Sequence, residues 1–246
     1  MELKDKVVII TGGGTGIGKA AAFRLAGEGA KVIINYNQSE KEAVETVSEI
    51  NKLGGIALAY KANVAIEKEV NALVSHAVAF FGTVDCLVNN ASVTAQIPMD
   101  DLTSVTDEVW DCLFNVNVKG MFHCVKAVAP YMKKQRSGVI VNMGSVAGMT
   151  GIGSSIPYAA TKSAIHTMTR SLAIALAPYI RVNSISPGAV DTRWWSGNQE
   201  KMYQLAGSLP LKRISTPDDI ADAILFQLTQ KSITGQVFTI DNGQTL

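Results

Sequence analysis

Short continuous apolar runs alternate along this chain with longer stretches of helical composition, and the first pair of each sets the pattern. Val7-Val8-Ile9-Ile10 is apolar and β-branched without a polar break, as a strand buried on both faces requires. A glycine cluster follows at 12–18. Lys19–Ala26 then has helical composition, Gly29 stops it, and Lys31–Tyr36 reads as a second strand. Carried along the chain, the pattern predicts strands near 6–11, 31–36, 56–60, 84–88, 138–142, 180–186 and 236–240. Helices are predicted near 17–28, 39–53, 66–81, 106–134, 157–177 and 217–229. No linker, repeat or low-complexity segment breaks the alternation. Strands that alternate with helices imply an α/β fold, a doubly wound parallel sheet with helices on both faces in three α/β/α layers. The whole of 1–246 is expected to form one domain. In such sheets ligands bind beyond the carboxyl ends of the strands, where the strand order reverses.

Composition agrees with this. Of 246 residues 47% are hydrophobic and 17% charged, as suits a compact enzyme with much parallel sheet. A net charge of +1 gives no electrostatic footprint for nucleic acid or a membrane surface, so neither is an expected partner. The first residues hold no long apolar stretch, so neither a secretion signal nor a spanning helix is expected. Cys86, Cys112 and Cys124 are odd in number and lack metal spacing; they read as reduced thiols of a cytoplasmic protein. His76, His123 and His166 are scattered on helical segments, and no metal site is expected from them.

Two motifs carry chemistry. Strand, glycine turn, helix and strand within about 30 residues is the context of a dinucleotide fingerprint, a Rossmann-type unit. Its glycines let backbone approach a pyrophosphate, and the following helix presents oriented N–H groups to it. Further on, Tyr158 and Lys162 stand four apart in Y-A-A-T-K, on one face of a helix. A nearby cation lowers a phenol's pKa by roughly 1–3 units, so the pair is expected to make a tuned proton donor and acceptor. Alone, such a pair is an ordinary surface helix face; the glycine turn upstream gives it weight.

These residues resemble the short-chain dehydrogenase/reductase family over nearly the whole chain. T-G-G-G-T-G-I-G at 11–18 resembles the family's T-G-x-x-x-G-x-G, and Asn89-Asn90-Ala91-Ser92 its N-N-A-G. Asn117, Ser145, Tyr158 and Lys162 match its Asn-Ser-Tyr-Lys tetrad. Pro187-Gly188 matches the P-G after the sixth strand, and Asp241-Asn242-Gly243 resembles the D-G-G near the C-terminus. Length and spacing are most similar to the 3-oxoacyl-carrier-protein reductases and related bacterial carbonyl reductases.

The resemblance implies an NAD(P)-dependent oxidoreductase that interconverts a small-molecule carbonyl and a secondary alcohol. Tyr158 would be the acid and base. Lys162 would tune it and hold the nicotinamide ribose. Ser145 would hold the substrate oxygen, and Asn117 would position a water of a proton relay. Gly12, Thr15, Gly16, Ile17 and Gly18 would surround the pyrophosphate. Asn63 and Val64 would meet the adenine, Asn90 and Ala91 the adenosine ribose, and Val190 and Thr192 the carboxamide beyond Pro187 and Gly188. A non-catalytic dinucleotide sensor on the same fold is the alternative; Tyr158 and Lys162, both present, speak against it.

Departures and choices follow from the same comparison. Ser92 and Asn242 stand where the family has glycine; a small hydroxymethyl is expected to fit, and Asn tolerates left-handed backbone. The stretch Asn35-Tyr36-Asn37-Gln38-Ser39 has no acid to repel a 2′-phosphate and no arginine to grip one. Asn37 and Ser39 are neutral donors there, which favours NADP or use of both NADP and NAD. The stretch 189–210, with Trp194, Trp195, Met202, Tyr203 and Leu205, is expected to be a substrate lid, its aromatic residues suited to an apolar carbonyl. Lys133, Lys134 and Arg136 resemble one docking point for a carrier protein; Ala177-Pro178-Tyr179-Ile180 has no base at the other. By resemblance the helices near 106–134 and 157–177 form the main contact of a homotetramer. Val116, Met121, Phe122, Val125, Val128, Ala129, Ile165, Met168, Leu172 and Leu176 are expected to give them a second apolar side.

Overall fold

A run of β-branched residues too apolar for water gathers at the centre of the molecule. The computed structural model describes residues 1–197 and 199–246. Among the described residues seven strands, β1 (Val7–Ile10), β2 (Lys31–Tyr36), β3 (Ile56–Lys61), β4 (Cys86–Asn89), β5 (Gly138–Met143), β6 (Ile180–Pro187) and β7 (Val237–Ile240), form one parallel sheet. Their order is β3-β2-β1-β4-β5-β6-β7. The chain therefore winds outward from β1 to β3 and returns to the other side of β1 at β4. Val8 pairs with Cys86 and Ile10 with Val88 across this switch.

Because strand side chains alternate, each strand feeds two cores. Val8 and Ile10 pack with Leu25 of α1 (Gly16–Gly27), Ile50 of α2 (Glu40–Lys52) and Ile224 of α9 (Pro217–Thr229). Val7 and Ile9 pack on the opposite face with Leu73 of α3 (Glu67–Phe81), Val128 of α5 (Met121–Lys134) and Leu176 of α7 (Ile156–Leu176). The three-layer sheet read from the sequence is the fold observed.

Three features differ from the expected pattern. The helix expected over 106–134 is α4 (Asp107–Phe114), a wider π turn over Asn115–Gly120, and α5. Two helices were not foreseen: α6 (Ala147–Thr150) and α8 (Gln199–Ser208), the latter inside the expected lid. The second apolar side expected for the two long helices is narrower than the sequence implied. Met121, Val125, Val128, Ala129, Ile165 and Leu176 are all buried within the chain. Val116, Met168 and Leu172 are half-buried, leaving Phe122, at 44% exposure, and the unforeseen Ile174, at 81%, on the outside. No helix among the described residues is long and apolar enough to cross a membrane.

Candidate active site

β5 ends at Met143, and Gly144 carries the chain to Ser145 at the sheet's carboxyl edge. α7 begins where Ser155 caps it: the Ser155 hydroxyl accepts from Tyr158 N at 3.3 Å, and Pro157 sits in the first turn, where a missing N–H costs nothing. This fixes Tyr158 in the first turn and Lys162 one turn on, both against the end of β5. Lys162 is buried. Its Nζ donates to Met143 O at 2.9 Å and stands 5.5 Å from the Tyr158 ring centroid.

Burial pushes the Lys162 ammonium down to about 8 and the Tyr158 phenol up to about 12, with the Ser145 hydroxyl pulling the phenol the other way. The phenol was expected to be lowered by its lysine. Two groups desolvated together each resist charging, and burial, not the neighbouring lysine, sets the direction of the phenol's shift. On the next turn His166 is also buried, its Nε2 2.6 Å from Ser186 Oγ. Burial, then Arg170 and Lys162, push it down to about 4, so the imidazole adds no second charge beside Lys162 at neutral pH.

Asn117 stands behind this wall rather than in it. The π turn swings it inward, whereas Asn115 accepts from Lys119 Nζ at the surface. Asn117 Oδ1 accepts from Val93 N at 2.9 Å and from Ser92 Oγ at 3.1 Å. Its Nδ2 donates to Val93 O at 3.0 Å and to Thr161 Oγ1 at 3.2 Å. Three of these bonds hold the loop after β4 and the fourth reaches α7, so Asn117 ties the two together. Ser92, substituted for a glycine, turns its hydroxyl toward Asn117 and strengthens the tie.

The cleft in front measures ≈ 1300 Å³ and runs along the carboxyl edge of the sheet across the switch between β1 and β4. Gly12, Thr15, Gly16, Ile17, Asn37, Asn63, Val64, Asn90, Ala91, Ser145, Tyr158, Lys162, Pro187, Gly188, Val190 and Thr192 all line it. Of the expected cofactor residues only Gly18 does not. It lies behind the turn, where a Cβ would come within 2.7 Å of Asn90 Nδ2, so it serves close packing of α1. That same Nδ2 donates to the carbonyls of Thr11 and Gly12, each at 3.0 Å, latching the loop after β4 to the glycine turn.

The residues present fit a dinucleotide. Gly16 takes φ +52, open to glycine and strained for other residues. Thr15 makes no side-chain cap and the first turn of α1 has no acid, so its leading N–H groups are free for an anion. At the other end, Asn242 takes φ +56 as expected and donates to Ser215 Oγ at 2.8 Å.

The far wall comes from residues within 189–195 and 201–205. Val190 bridges to Ser215, and a 3-10 turn at Arg193–Trp195 follows. The Trp194 ring lies 5.7 Å from that of Tyr158, and Trp195 Nε1 donates to Val190 O at 3.1 Å. One residue of this wall escaped the sequence reading. Arg193 reaches back to Ser39, 154 positions away, and nothing local in the sequence signals that contact.

Comparison with known proteins agrees with this geometry. The model of the short chain dehydrogenase family matches residues 6–202. YusR of Bacillus subtilis, a short-chain dehydrogenase/reductase homolog, is 59% identical over 129 residues, 52% of this chain and 100% of that one. The 3-oxoacyl-(acyl-carrier-protein) reductase FabG of Thermotoga maritima is 39% identical over 247 residues, 99% of each chain. A crystal structure described as a short-chain dehydrogenase/reductase, from Burkholderia xenovorans, aligns with a TM-score of 0.91 at 34% identity over 97% of each chain. With sheet order, glycine turn and full-length relatives in accord, the chain belongs to the short-chain dehydrogenase family, NAD(P)-dependent oxidoreductases acting on CH–OH groups.

Proposed function

We propose that this enzyme reduces a ketone with apolar substituents, 3-oxoacyl chains among them, to a secondary alcohol, with Tyr158 as the proton donor. The carrying observation is the meeting of Tyr158, Lys162 and Ser145 at the end of β5, in the same cleft as the glycine turn. A nicotinamide held in this cleft would supply the hydride. The chain supplies the rest. Ser145 donates to the carbonyl oxygen and steadies its developing charge. Tyr158 gives that oxygen a proton, and the O–H bond of the phenol breaks as the alcohol O–H forms. Lys162 stabilises the resulting phenolate. A phenol held protonated at neutral pH is suited to give that proton.

Lys162 spends one of its donors on Met143 O and keeps others for a ribose hydroxyl and a water. Asn117 acts from behind, its side chain holding the loop after β4 against α7. Gly12, Thr15, Gly16 and Ile17 hold the pyrophosphate. Asn37 faces the adenosine ribose, Asn63 and Val64 the adenine, and Asn90 and Ala91 the same nucleoside. Pro187, Gly188, Val190 and Thr192 hold the nicotinamide end. The 189–210 segment is the lid.

Val93, Ile97, Val146, Ile152 and Trp194 give the substrate half an apolar lining. Lys133, Lys134 and Arg136 lie at the opposite, amino end of β5, and Arg136 is 4.8 Å from the Tyr179 ring centroid. Their distance from the cleft favours a free substrate over one docked there on a carrier protein.

NADP is used at least as well as NAD, because 35–39 carries no carboxylate to repel a 2′-phosphate. A spectrophotometric screen of ketones and alcohols, with NADPH and NADH in parallel, tests both parts. Turnover of an apolar ketone by NADPH is expected. No turnover of any ketone, or kcat/KM for NADH more than about tenfold (~1.4 kcal/mol) above NADPH, contradicts the reading.

A further inference from the structure

Three consecutive residues before and within the 193–195 turn reach three parts of the cleft. Thr192 lies against the glycine turn, its Cγ2 3.4 Å from where a Cβ on Gly16 would stand. Trp194 lies beside Tyr158. Between them Arg193 crosses the mouth and donates from Nη1 at 3.3 Å and from Nη2 at 3.4 Å to Ser39 Oγ. These are long bonds to a neutral hydroxyl. No carboxylate pairs with Arg193 among the described residues. A guanidinium has five N–H donors in a planar fork, so most of its capacity remains.

Lys201 also lines the cleft, but Arg193 is the cation in contact with the segment after β2. Lys41 pairs with Glu45 along α2. Glu40 lies against the Tyr36 phenol, whose pKa burial and that carboxylate together raise. Glu42, also in the first turn of α2, adds negative charge that opposes an anion there, and Arg193 is the cation in contact with that segment to offset it.

We infer that Arg193 reads the 2′-phosphate of NADP, in a subsite assembled across the cleft with Ser39 and Asn37. The segment after β2 supplies neutral donors, and the segment after β6 supplies the charge. Arg193 is thus a specificity-determining residue contributed by the lid. Trp194, the next residue, already stands beside Tyr158, so one short turn joins the phosphate subsite to the candidate proton donor. This inference rests on reading the cleft as a dinucleotide site and deepens it.

The test uses two probes that differ only by the phosphate in question: adenosine 2′,5′-bisphosphate and 5′-AMP, titrated calorimetrically. The wild-type chain should bind the bisphosphate at least about tenfold more tightly. Arg193→Gln should weaken the bisphosphate by about 10- to 100-fold, the loss of one charge-assisted contact, and leave 5′-AMP within about twofold. Arg193→Lys should recover part of the loss. Arg193 is exposed, so both variants should fold, and an unchanged melting temperature checks this. Unchanged bisphosphate affinity in Arg193→Gln overturns the inference, as does an equal loss for both probes. If the wild type binds both probes alike while NADH and NADPH both support turnover, the inference fails and the dinucleotide reading survives. If neither probe nor either cofactor binds, both fail.

Discussion

Lys162 meets two demands that burial sets against each other: it must stay charged to serve Tyr158, yet it lies in the desolvated interior. Its pKa falls to about 8, so the reductive kcat/KM should fall as pH rises through about 8 and the ammonium is lost. Stability moves the other way. A folded pKa below the unfolded value means that the unfolded chain binds more protons between about 8 and 10.5, so stability rises with pH in that window. Lys162→Met removes the titration along with the ribose contact. Cofactor affinity and kcat should fall together, and between pH 7 and 9.5 the wild type should gain in melting temperature relative to the variant. An unchanged cofactor Kd, or a parallel pair of melting curves, would contradict the dual role. Tyr158 and Lys162 were legible in the sequence because four positions on one helix are neighbours by geometry. The direction of the Tyr158 shift was not, because burial is decided by residues from β5 and the lid. Arg193 was invisible for the same reason: its partner is 154 positions away.

At the scale of elements, the strands were legible because each is a continuous apolar run, and a parallel sheet covered on both faces admits little else. The break in the 106–134 helix was not legible. Asn115–Gly120 carries no proline, and its composition does not distinguish a π turn from an α turn. What the turn achieves is a buried Asn117 bonded to both Val93 and Thr161. The segment after β2 is the other element with a consequence of its own. It ends without a carboxylate, and Asn37 lines the cleft there. Asn37→Asp should turn preference toward NADH by repelling the 2′-phosphate, by about tenfold or more in the ratio of kcat/KM values. A ratio that does not move would remove Asn37 from the adenosine end of the cleft.

The whole molecule is a parallel sheet whose switch between β1 and β4 fixes where chemistry can happen; the parallel sheet followed from the order of strand and helix patterns, whereas the place of the switch came from the structure. Its assembly was less legible, since apolar positions on a helix do not say which partner buries them. Most of those on α5 and α7 turn inward. Phe122 and Ile174 remain exposed, and at the β7 edge Phe226, 46% exposed, meets Phe238 edge-on, with centroids 6.1 Å apart. Two separate apolar surfaces suit a tetramer with dyads across the helices and across β7. Light scattering at micromolar concentration should therefore give about four times the chain's 26.2 kDa; an active monomer would defeat the idea. On the proposed mechanism one phenol, held protonated beside a buried lysine, completes a carbonyl reduction. Tyr158→Phe keeps the ring and removes only the hydroxyl. Its steady-state turnover, measured with NADPH and the best ketone alongside a cofactor titration, isolates that proton. The variant should bind cofactor almost as the wild type does and lose turnover; a kcat above about a tenth of wild type, only ~1.4 kcal/mol of barrier, would show that another group supplies the proton.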